Sequence, residues 1–223
     1  MISKTQQRRE LIKIRNSITE LDRMTWNDLI VKNLMGQEFW QKKINLNQTS
    51  LNFSNNLTKT NLIIHTYWSA NSEVDTHWLL DSDKILASSL DNFRLANANF
   101  EVVIPKVISL TTMEHCLVNS QTIFGNNGKF IEPVESHQKF GDLESIDIVI
   151  VPLVGFNFVD NTIHRIGYGG GYYDRFLSQL KEVNSDVILV GLAYDCQKIQ
   201  ELSVELHDIP LDYVITQSRV FSS

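Results

Sequence analysis

Apolar residues recur along the chain in two spacings, which predict helices that alternate with strands. Near the N-terminus they lie three to four residues apart, the spacing of one helix face, and predict a first helix over residues 4–17. A second helix is expected to begin near Thr25 and Asp28 and to run to about Leu34. Residues 45–61 are rich in Asn, Thr and Ser and are expected to form a solvated loop.

Short apolar runs rich in β-branched residues predict the strands. They cover residues 62–68, 101–104, 146–153, 187–193 and 213–216, and the second run is expected to stop at Pro105. Further helices are predicted over residues 76–92 and 172–183. This alternation predicts an α/β fold, with a mostly parallel central sheet flanked by helices in a Rossmann-like three-layer architecture. Residues 1–223 are expected to form a single domain.

The composition predicts a soluble protein of the cytoplasm. The chain has 223 residues, of which 43% are hydrophobic, enough to bury a sizeable core. No apolar stretch approaches the roughly 20 residues that span a bilayer, and the basic N-terminus lacks an apolar signal region. Cys116 and Cys196 lie far apart without metal-ligand spacing, so both are expected to be reduced and buried thiols rather than a disulfide or a metal site. No membrane partner is expected.

Charge is distributed unevenly between the N-terminus and the rest of the chain. The net charge of −6 argues against nucleic-acid binding. The first fifteen residues nevertheless contain five cations: Lys4, Arg8, Arg9, Lys13 and Arg15. Lys4, Arg8 and Arg15 fall on one stripe of the predicted helix, where they are placed to project toward a cleft that holds a small anion. The alternative is a solvated basic helix face.

A glycine-rich segment precedes the helix predicted from Tyr172. Residues 165–175 contain four of the ten glycines of the chain. Such a loop, placed between the apolar run at 146–153 and a helix, brings bare backbone N–H groups to the positive end of that helix, which is how many proteins hold phosphate. Arg165 and Arg175 add positive charge, and Asp174 adds an oxygen ligand of the kind that Mg²⁺ prefers. The segment predicts a nucleotide or phosphate site; the alternative is a tight turn required only for packing.

Other polar residues follow the predicted strands. Ligands of open α/β sheets bind outside the carboxyl ends of the strands. Glu73, Lys106, the glycine-rich segment and Asp195 all fall at such positions. For Glu73 the alternative is an exposed acid at a helix N-terminus, where the helix dipole favours it. Histidines without metal-ligand spacing are expected to be structural or exposed: His115, His164 and His207.

The motifs, in this order, resemble those of the 5-formyltetrahydrofolate cyclo-ligase family, also called methenyltetrahydrofolate synthetases. They extend over nearly the whole chain, and the glycine-rich block is the most specific of them. The motifs are Lys4-x-x-x-Arg8, Asn71-Ser72-Glu73-Val74-Asp75-Thr76, Ile104-Pro105-Lys106, Glu132-Pro133, Val151-Pro152-Leu153-Val154-Gly155-Phe156, Arg165-Ile166-Gly167-Tyr168-Gly169-Gly170-Gly171-Tyr172-Tyr173-Asp174-Arg175 and His207-Asp208-Ile209-Pro210-Leu211-Asp212.

The resemblance implies an ATP- and Mg²⁺-dependent ligase that converts 5-formyltetrahydrofolate to 5,10-methenyltetrahydrofolate with release of ADP and phosphate. The formyl oxygen would attack the γ-phosphate, and N10 would then close on the carbon of the phosphorylated, iminium-like intermediate. A formamide oxygen leaves poorly in water, so the protein mainly has to position the reactants and neutralise charge. The expected partners are these small molecules alone, and the expected state is a monomer.

The resemblance also implies roles for individual residues. The expected nucleotide contacts are Lys4, Arg8, Arg165, Ile166, Gly167, Tyr168, Gly169, Gly170, Gly171 and Tyr172. Among them the expected catalytic residues are Lys4, Arg165 and Tyr172. The expected folate contacts are Trp68, Glu73, Tyr168, Gly170 and Tyr172. Asp174 and Asp208 are the expected Mg²⁺ ligands. For Trp68, ordinary core packing is the alternative.

Other positions are left without a role. Arg15 and Lys106 are expected to be solvated cations rather than ligand contacts. The segment 157–164 is a few residues longer than the short turn usual in the family, so Asn157 and Asp160 receive no function. Two alternative functions are a folate- or nucleotide-binding protein without turnover and a different ATP-dependent enzyme on the same fold.

Overall fold

The helices and strands follow one another from Lys4 to Ser222 in the computed structural model, which describes residues 3–49, 61–80, 100–126, 131–134 and 138–223. The helices are α1 (Lys4–Asn16), α2 (Glu20–Met35), α3 (Glu38–Thr49) and α4 (Tyr172–Val183). The strands are β1 (Leu62–His65), β2 (Phe100–Val107), β3 (Met113–Val118), β4 (Phe124–Asn126), β5 (Ile131–Pro133), β6 (Gln138–Lys139), β7 (Ile148–Val151), β8 (Gly155–Val159), β9 (Thr162–Ile166), β10 (Ile188–Leu192), β11 (Tyr213–Ile215) and β12 (Val220–Ser222).

Eight strands form one mixed sheet in the order β12-β11-β10-β7-β1-β2-β3-β6. The five strands from β11 to β2 are parallel to one another, and β12, β3 and β6 add antiparallel edges. The mostly parallel central sheet is therefore confirmed, but the antiparallel edge strands were not predicted. Their short, partly exposed sequences lack the continuous apolar runs of buried parallel strands.

The sheet is covered by apolar side chains on both faces. Ile148 and Ile150 of β7 pack into a cluster with Trp40 of α3, whereas Val149 and Val151 pack with Leu177 of α4. This division follows from the alternation of side chains along a strand. Burial on both faces explains why residues 146–153 are almost wholly apolar, and it confirms the predicted three-layer architecture.

The first and last predicted helices are confirmed, and the two between them need correction. The second begins at Glu20 because Thr19 caps it, accepting a hydrogen bond from the Asp22 N–H at 3.1 Å. The loop predicted at 45–61 is wrong for residues 45–49, which belong to α3; its remaining residues up to 60 lie outside the described residues. Polar composition gave a misleading indication there, because Trp40 and Ile44 anchor α3 to the core.

Two further boundaries differ from the prediction. In place of a helix from residue 76, the described residues contain a short 3₁₀ turn at His77–Leu79; residues 81–92 lie outside the described part of the chain. Strand β2 does not stop at Pro105, which pairs with His115 of β3. Its ring nitrogen faces the side on which β1 has already ended, so no sheet hydrogen bond is lost there.

Residues 155–166 form a β-hairpin of β8 and β9, not an extended turn. Asp160 and Asn161 at its tip have φ angles of 49° and 64°, the left-handed conformation that two-residue hairpin turns require and that Asp and Asn tolerate. The glycine-rich segment therefore follows β9 rather than the central strand β7. This corrects the predicted connection while leaving the segment in front of α4.

A buried histidine pair predicts an acid-sensitive fold. His65 Nε2 and His115 Nδ1 are 3.1 Å apart, and burial lowers the pKa of both rings, that of His115 to about 4. Because the unfolded chain binds protons near pH 6.5 and the folded chain does not, stability should fall as the pH drops from 6.5 toward 4. At pH 5 the free energy of unfolding should be lower by about 1–2 kcal/mol because of His115 alone.

The measurement is urea unfolding of the wild type and His115→Asn at pH 7.5 and pH 5. Asparagine retains a hydrogen-bonding group but does not titrate. The stability of the His115→Asn variant should therefore change less between the two pH values than that of the wild type. An equal loss in both proteins would show that the pair does not set the acid sensitivity.

Candidate functional site

A cleft of about 620 Å³ lies at the carboxyl ends of the central strands. Its walls come from α1, the turn after β1, the end of β2, the glycine-rich loop (residues 167–171) and the segment around Asp208. The predicted ligand contacts that line it are Lys4, Arg8, Trp68, Glu73, Arg165, Ile166, Gly167, Tyr168, Gly169, Gly170, Gly171, Tyr172, Asp174 and Asp208. Residues from distant parts of the sequence thus meet at the edge where α/β sheets bind ligands.

Two cations of the α1 stripe, Lys4 and Arg8, line the cleft, as predicted, whereas Arg15 does not. Lys4 Nζ lies 2.9 Å from Glu205 Oε1 and 3.0 Å from Asp208 Oδ2. Arg8 Nε donates to the Gly167 carbonyl at 2.7 Å, so α1 is joined to the glycine-rich loop. Partial burial works against the charge of Lys4, but the two carboxylates raise its pKa. Lys4 therefore remains a cation at the cleft.

Backbone conformation explains two of the glycines in the loop. Gly169 has φ 98° and Gly171, at the N-cap of α4, has φ 64°, values that L-residues with side chains rarely adopt. A Cβ at Gly169 would also lie 3.4 Å from the Arg8 guanidinium. The loop therefore brings its backbone close to a cation at the start of a helix, an arrangement suited to an anion.

Arg165 lies at the end of β9 and is only 7% exposed. Its Nη2 donates to Asp174 Oδ1 at 2.6 Å, and Asp174 lies in the first turn of α4. Burial lowers the pKa of the Arg165 guanidinium, which Asp174 opposes, and arginine is charged in either case. Its Nε is buried and has no hydrogen-bond partner within the described part of the protein.

Tyr173 is a cleft residue to which the sequence analysis gave no role. Its hydroxyl is buried and, among the described residues, has no hydrogen-bond partner. Burial and the nearby Glu73 carboxylate raise its pKa, so the hydroxyl remains a proton donor. Buried polar groups are normally satisfied, so Arg165 Nε and the Tyr173 hydroxyl are two donors, in residues that line the cleft, whose acceptors the described protein atoms do not supply. The sequence does not distinguish Tyr173 from Tyr172, whose hydroxyl donates to the Ser109 carbonyl at 3.0 Å.

A second wall presents a carboxylate and an aromatic ring. Glu73 accepts hydrogen bonds from the Ala70 N–H at 2.9 Å and from the Tyr168 hydroxyl. Each carboxylate oxygen has a second acceptor site, so Glu73 can still accept from a ligand. Trp68 is half-buried and stacks on Phe124, with ring centroids 3.7 Å apart. It packs against the core and also lines the cleft, so core packing is confirmed and the folate contact stays a prediction.

Arg15 contradicts the prediction of a solvated cation. It is only 3% exposed, and its guanidinium donates to Ser72 Oγ, to the Leu153 carbonyl and to the Tyr168 hydroxyl. The sequence pattern misled because Arg15 occupies the same stripe as Leu11, the buried face of α1. Lys106 is likewise only partly exposed on β2.

The two predicted metal ligands are each paired with a cation. Asp174 contacts Arg165, and Asp208 contacts Lys4 and the Glu205 N–H. Partial burial opposes ionisation of Asp208, but these two partners lower its pKa. Nowhere in the described ranges do three or more His, Cys, Asp or Glu side chains form a group that could hold a metal ion. Two carboxylates suit Mg²⁺ that arrives already bound to phosphates, because this ion needs few protein ligands.

The remaining predictions concern residues that, apart from His207, are not among those that line the cleft. Arg175 donates to the Gly170 and Thr111 carbonyls and so supports the loop from outside. His164 bonds to Thr162, whereas His207 is exposed beside the cleft. Cys116 and Cys196 are free thiols, as expected, but only Cys116 is buried; Cys196 is exposed, which corrects the prediction for that residue. Among the described residues, no helix combines the length and apolar character needed to cross a membrane.

Together the fold and the cleft define an α/β protein in which a glycine-rich loop at a helix N-terminus, a carboxylate and an aromatic ring line one cleft. The family model described as the 5-formyltetrahydrofolate cyclo-ligase family matches residues 1–217. The chain therefore belongs to the 5-formyltetrahydrofolate cyclo-ligase family.

Individual relatives match shorter segments. The 5-formyltetrahydrofolate cyclo-ligase of Escherichia coli K12 is 40% identical over 96 residues, which are 43% of this chain and 50% of that protein. The probable 5-formyltetrahydrofolate cyclo-ligase of Schizosaccharomyces pombe is 30% identical over 130 residues, which are 53% of this chain and 62% of that protein. The chain thus spans about half the length of the curated relatives that it matches.

Two solved structures match nearly the whole chain. The 5,10-methenyltetrahydrofolate synthetase of Aquifex aeolicus is 23% identical, with a TM-score of 0.68 over 99% of this chain and 93% of that one. A 5,10-methenyltetrahydrofolate synthetase of Mycoplasma pneumoniae is 25% identical, with a TM-score of 0.57 over 97% of this chain and 99% of that one. The similarity to the Aquifex protein concerns the fold alone.

Proposed function

We propose that this protein uses ATP and Mg²⁺ to convert 5-formyltetrahydrofolate to 5,10-methenyltetrahydrofolate, releasing ADP and phosphate. The observation that carries the proposal is a single cleft with two unlike walls. One wall has the glycine-rich loop and the partnerless Arg165 Nε, and the other has Glu73 and Trp68. The identity of the proposed substrates is inferred from the family to which the chain belongs.

The cationic wall is assigned to the triphosphate. Lys4 and Arg8 reach the cleft from α1, and Arg165 reaches it from β9. These cations neutralise phosphate charge, and the loop N–H groups add fixed donors. Asp174 and Asp208 would hold Mg²⁺ that enters with the nucleotide, and the ion would neutralise charge on the transferring phosphate. Lys4 and Arg165 would exchange some carboxylate contacts for phosphate contacts.

The wall with Glu73 and Trp68 is assigned to the folate, and Tyr168 of the glycine-rich loop contacts this wall through Glu73. Its pterin ring carries adjacent N–H donors, which a carboxylate such as Glu73 accepts in pairs. Trp68 offers a flat aromatic surface suited to a flat heterocycle. The Tyr173 hydroxyl lies close enough to both Glu73 and Arg165 for their charges to influence it. That position between the two walls suits a donor to the oxygen of the formyl group.

The proposed reaction requires little covalent chemistry from the protein. The formyl oxygen forms a bond to the γ-phosphorus as ADP leaves. N10 then bonds to the formyl carbon and loses its proton, and the C–O bond breaks as phosphate departs with the former formyl oxygen and takes up that proton. Positioning both substrates in one cleft and balancing charge supply the acceleration.

The Tyr173→Phe substitution tests whether the Tyr173 hydroxyl donates a hydrogen bond to the reacting group. Loss of a hydrogen bond to the reacting group is expected to lower kcat by about tenfold, the equivalent of about 1.4 kcal/mol. The thermal midpoint should stay the same or rise, because the lost hydroxyl has no partner in the folded protein. Tyr213→Phe, which alters a ring stacked on Phe39 in the core, is the matched control. Unchanged turnover by Tyr173→Phe would remove this residue from the reaction.

Turnover of the purified protein with Mg-ATP tests the function itself. We expect ADP release that depends on 5-formyltetrahydrofolate and matches, one for one, the near-ultraviolet absorbance of the methenyl product. Binding of both ligands without ADP release would indicate a protein without turnover, and ADP release indifferent to folate would indicate another ATP-dependent enzyme. A monomeric, cytoplasmic protein with no nucleic-acid partner remains a prediction.

A further inference from the structure

Arg15 joins three segments that meet behind the cleft. From the last turn of α1 it donates through Nε to Ser72 Oγ at 3.0 Å, through Nη1 to the Leu153 carbonyl at 3.4 Å and through Nη2 to the Tyr168 hydroxyl at 2.7 Å. These partners belong to the turn after β1, the segment after β7 and the glycine-rich loop. Arg15 does not line the cleft itself.

The charge of Arg15 has no direct counterion in the described part of the structure. Its contacts there are a hydroxyl, a carbonyl and a phenol, and none is a carboxylate. A buried cation without a counterion costs free energy, and replacing it with an apolar residue is often neutral or stabilising. A role beyond stability would account for a cation at this position.

The Tyr168 hydroxyl connects Arg15 to Glu73. A guanidinium only donates hydrogen bonds and a carboxylate only accepts them, so the direction of this chain is fixed. The hydroxyl accepts from Arg15 and gives its one proton to Glu73. Such a charge-assisted chain polarises each member and strengthens the next bond. Glu73 is thereby held by Tyr168 on one oxygen and by the Ala70 N–H on the other.

We propose that Arg15 is a positioning residue for the folate wall, which acts through Tyr168 to keep the Glu73 carboxylate oriented toward the cleft. The ligand that this arrangement selects is a flat heterocycle with two adjacent N–H donors. The inference rests on the proposed function for the identity of that ligand. It adds that recognition depends on a buried arginine that does not touch the ligand.

Calorimetric binding of 5-formyltetrahydrofolate without ATP tests this relay. Arg15→Met and Tyr168→Phe should each weaken folate binding by about tenfold or more, because each removes one charge-assisted hydrogen bond. ADP binding by Arg15→Met should change less than threefold. Because both substitutions break one chain, the double variant should bind no more weakly than the weaker single variant. Lys13→Met, which removes an exposed cation from the same helix, should bind as the wild type does.

The outcomes separate the relay from the proposed function. A wild-type protein that does not bind 5-formyltetrahydrofolate would overturn the proposed function, and the relay with it. Wild-type binding together with unweakened binding by Tyr168→Phe, or with additive losses in the double variant, would overturn the relay alone. If Arg15→Met does not fold, Arg15→Lys replaces it, since lysine retains the charge but not the three-way contact. Folate binding by Arg15→Lys as tight as that of the wild type would then overturn the relay.

Discussion

Replacing Arg165 with alanine is expected to raise the KM for ATP by about 10- to 100-fold, the largest effect of any single substitution in the nucleotide wall. The guanidinium is 7% exposed and offers a partnerless Nε at the cleft, so its loss removes a charge and preorganised donors together. The KM for 5-formyltetrahydrofolate should change much less. Steady-state kinetics with each substrate varied in turn measures both.

The control for Arg165→Ala must account for Asp174, which would lose its 2.6 Å ion pair. Arg165→Ala combined with Asp174→Asn restores charge balance in the folded protein, and thermal unfolding of both variants separates instability from lost binding. Arg9→Ala, an exposed cation on α1, should behave as the wild type does. If folate binding suffers more than ATP binding, the assignment of this wall to the nucleotide is wrong.

Glu73→Gln should weaken the binding of 5-formyltetrahydrofolate by roughly 10- to 100-fold while leaving the KM for ATP nearly unchanged. Glutamine has the same size and retains one carbonyl oxygen to accept from the Ala70 N–H. Its amide group, however, presents donors where both Tyr168 and the pterin edge would donate. Donors that face donors leave buried groups unsatisfied, which is why the expected effect is large.

Isothermal titration with 5-formyltetrahydrofolate gives the binding constant directly. Glu10→Gln is the matched control, because Glu10 is an exposed acid on α1 outside the cleft walls. Unchanged folate affinity in Glu73→Gln would contradict the assignment of the folate wall, even if turnover were reduced.

The sequence predicted the centre of the fold better than its edges. Strand β7 is buried on both faces, so its composition alone identifies it. The hairpin of β8 and β9 depends instead on left-handed conformations at Asp160 and Asn161, which many loops also adopt. Helix α3 was not predicted at all, and polar composition predicted a loop over its last residues, whereas its N-terminal half packs through Trp40. Tertiary packing overrode local preference there.

The candidate site was also predicted only in part: its lining residues were predicted, but the contacts of their side chains were not. The glycine-rich motif and the acidic motifs predicted which residues line the cleft, because order along the chain and the rule of strand ends place them at one edge. The partners of individual side chains could not be predicted in the same way. Arg15 shares its stripe with Lys4 and Arg8, which line the cleft, and only the packed structure reveals that Arg15 is instead buried against Tyr168. Tyr173 was likewise indistinguishable from its neighbour until the unpaired hydroxyl was located.

The central claim is that the formyl oxygen is activated by transfer of the γ-phosphoryl group, and an isotope measurement tests it most directly. The purified protein is given Mg-ATP and 5-formyltetrahydrofolate whose formyl oxygen is ¹⁸O, and the released phosphate is analysed by mass spectrometry. The proposed reaction predicts one ¹⁸O atom in each phosphate formed together with the methenyl product. Unlabelled phosphate, or no phosphate at all, would contradict the account.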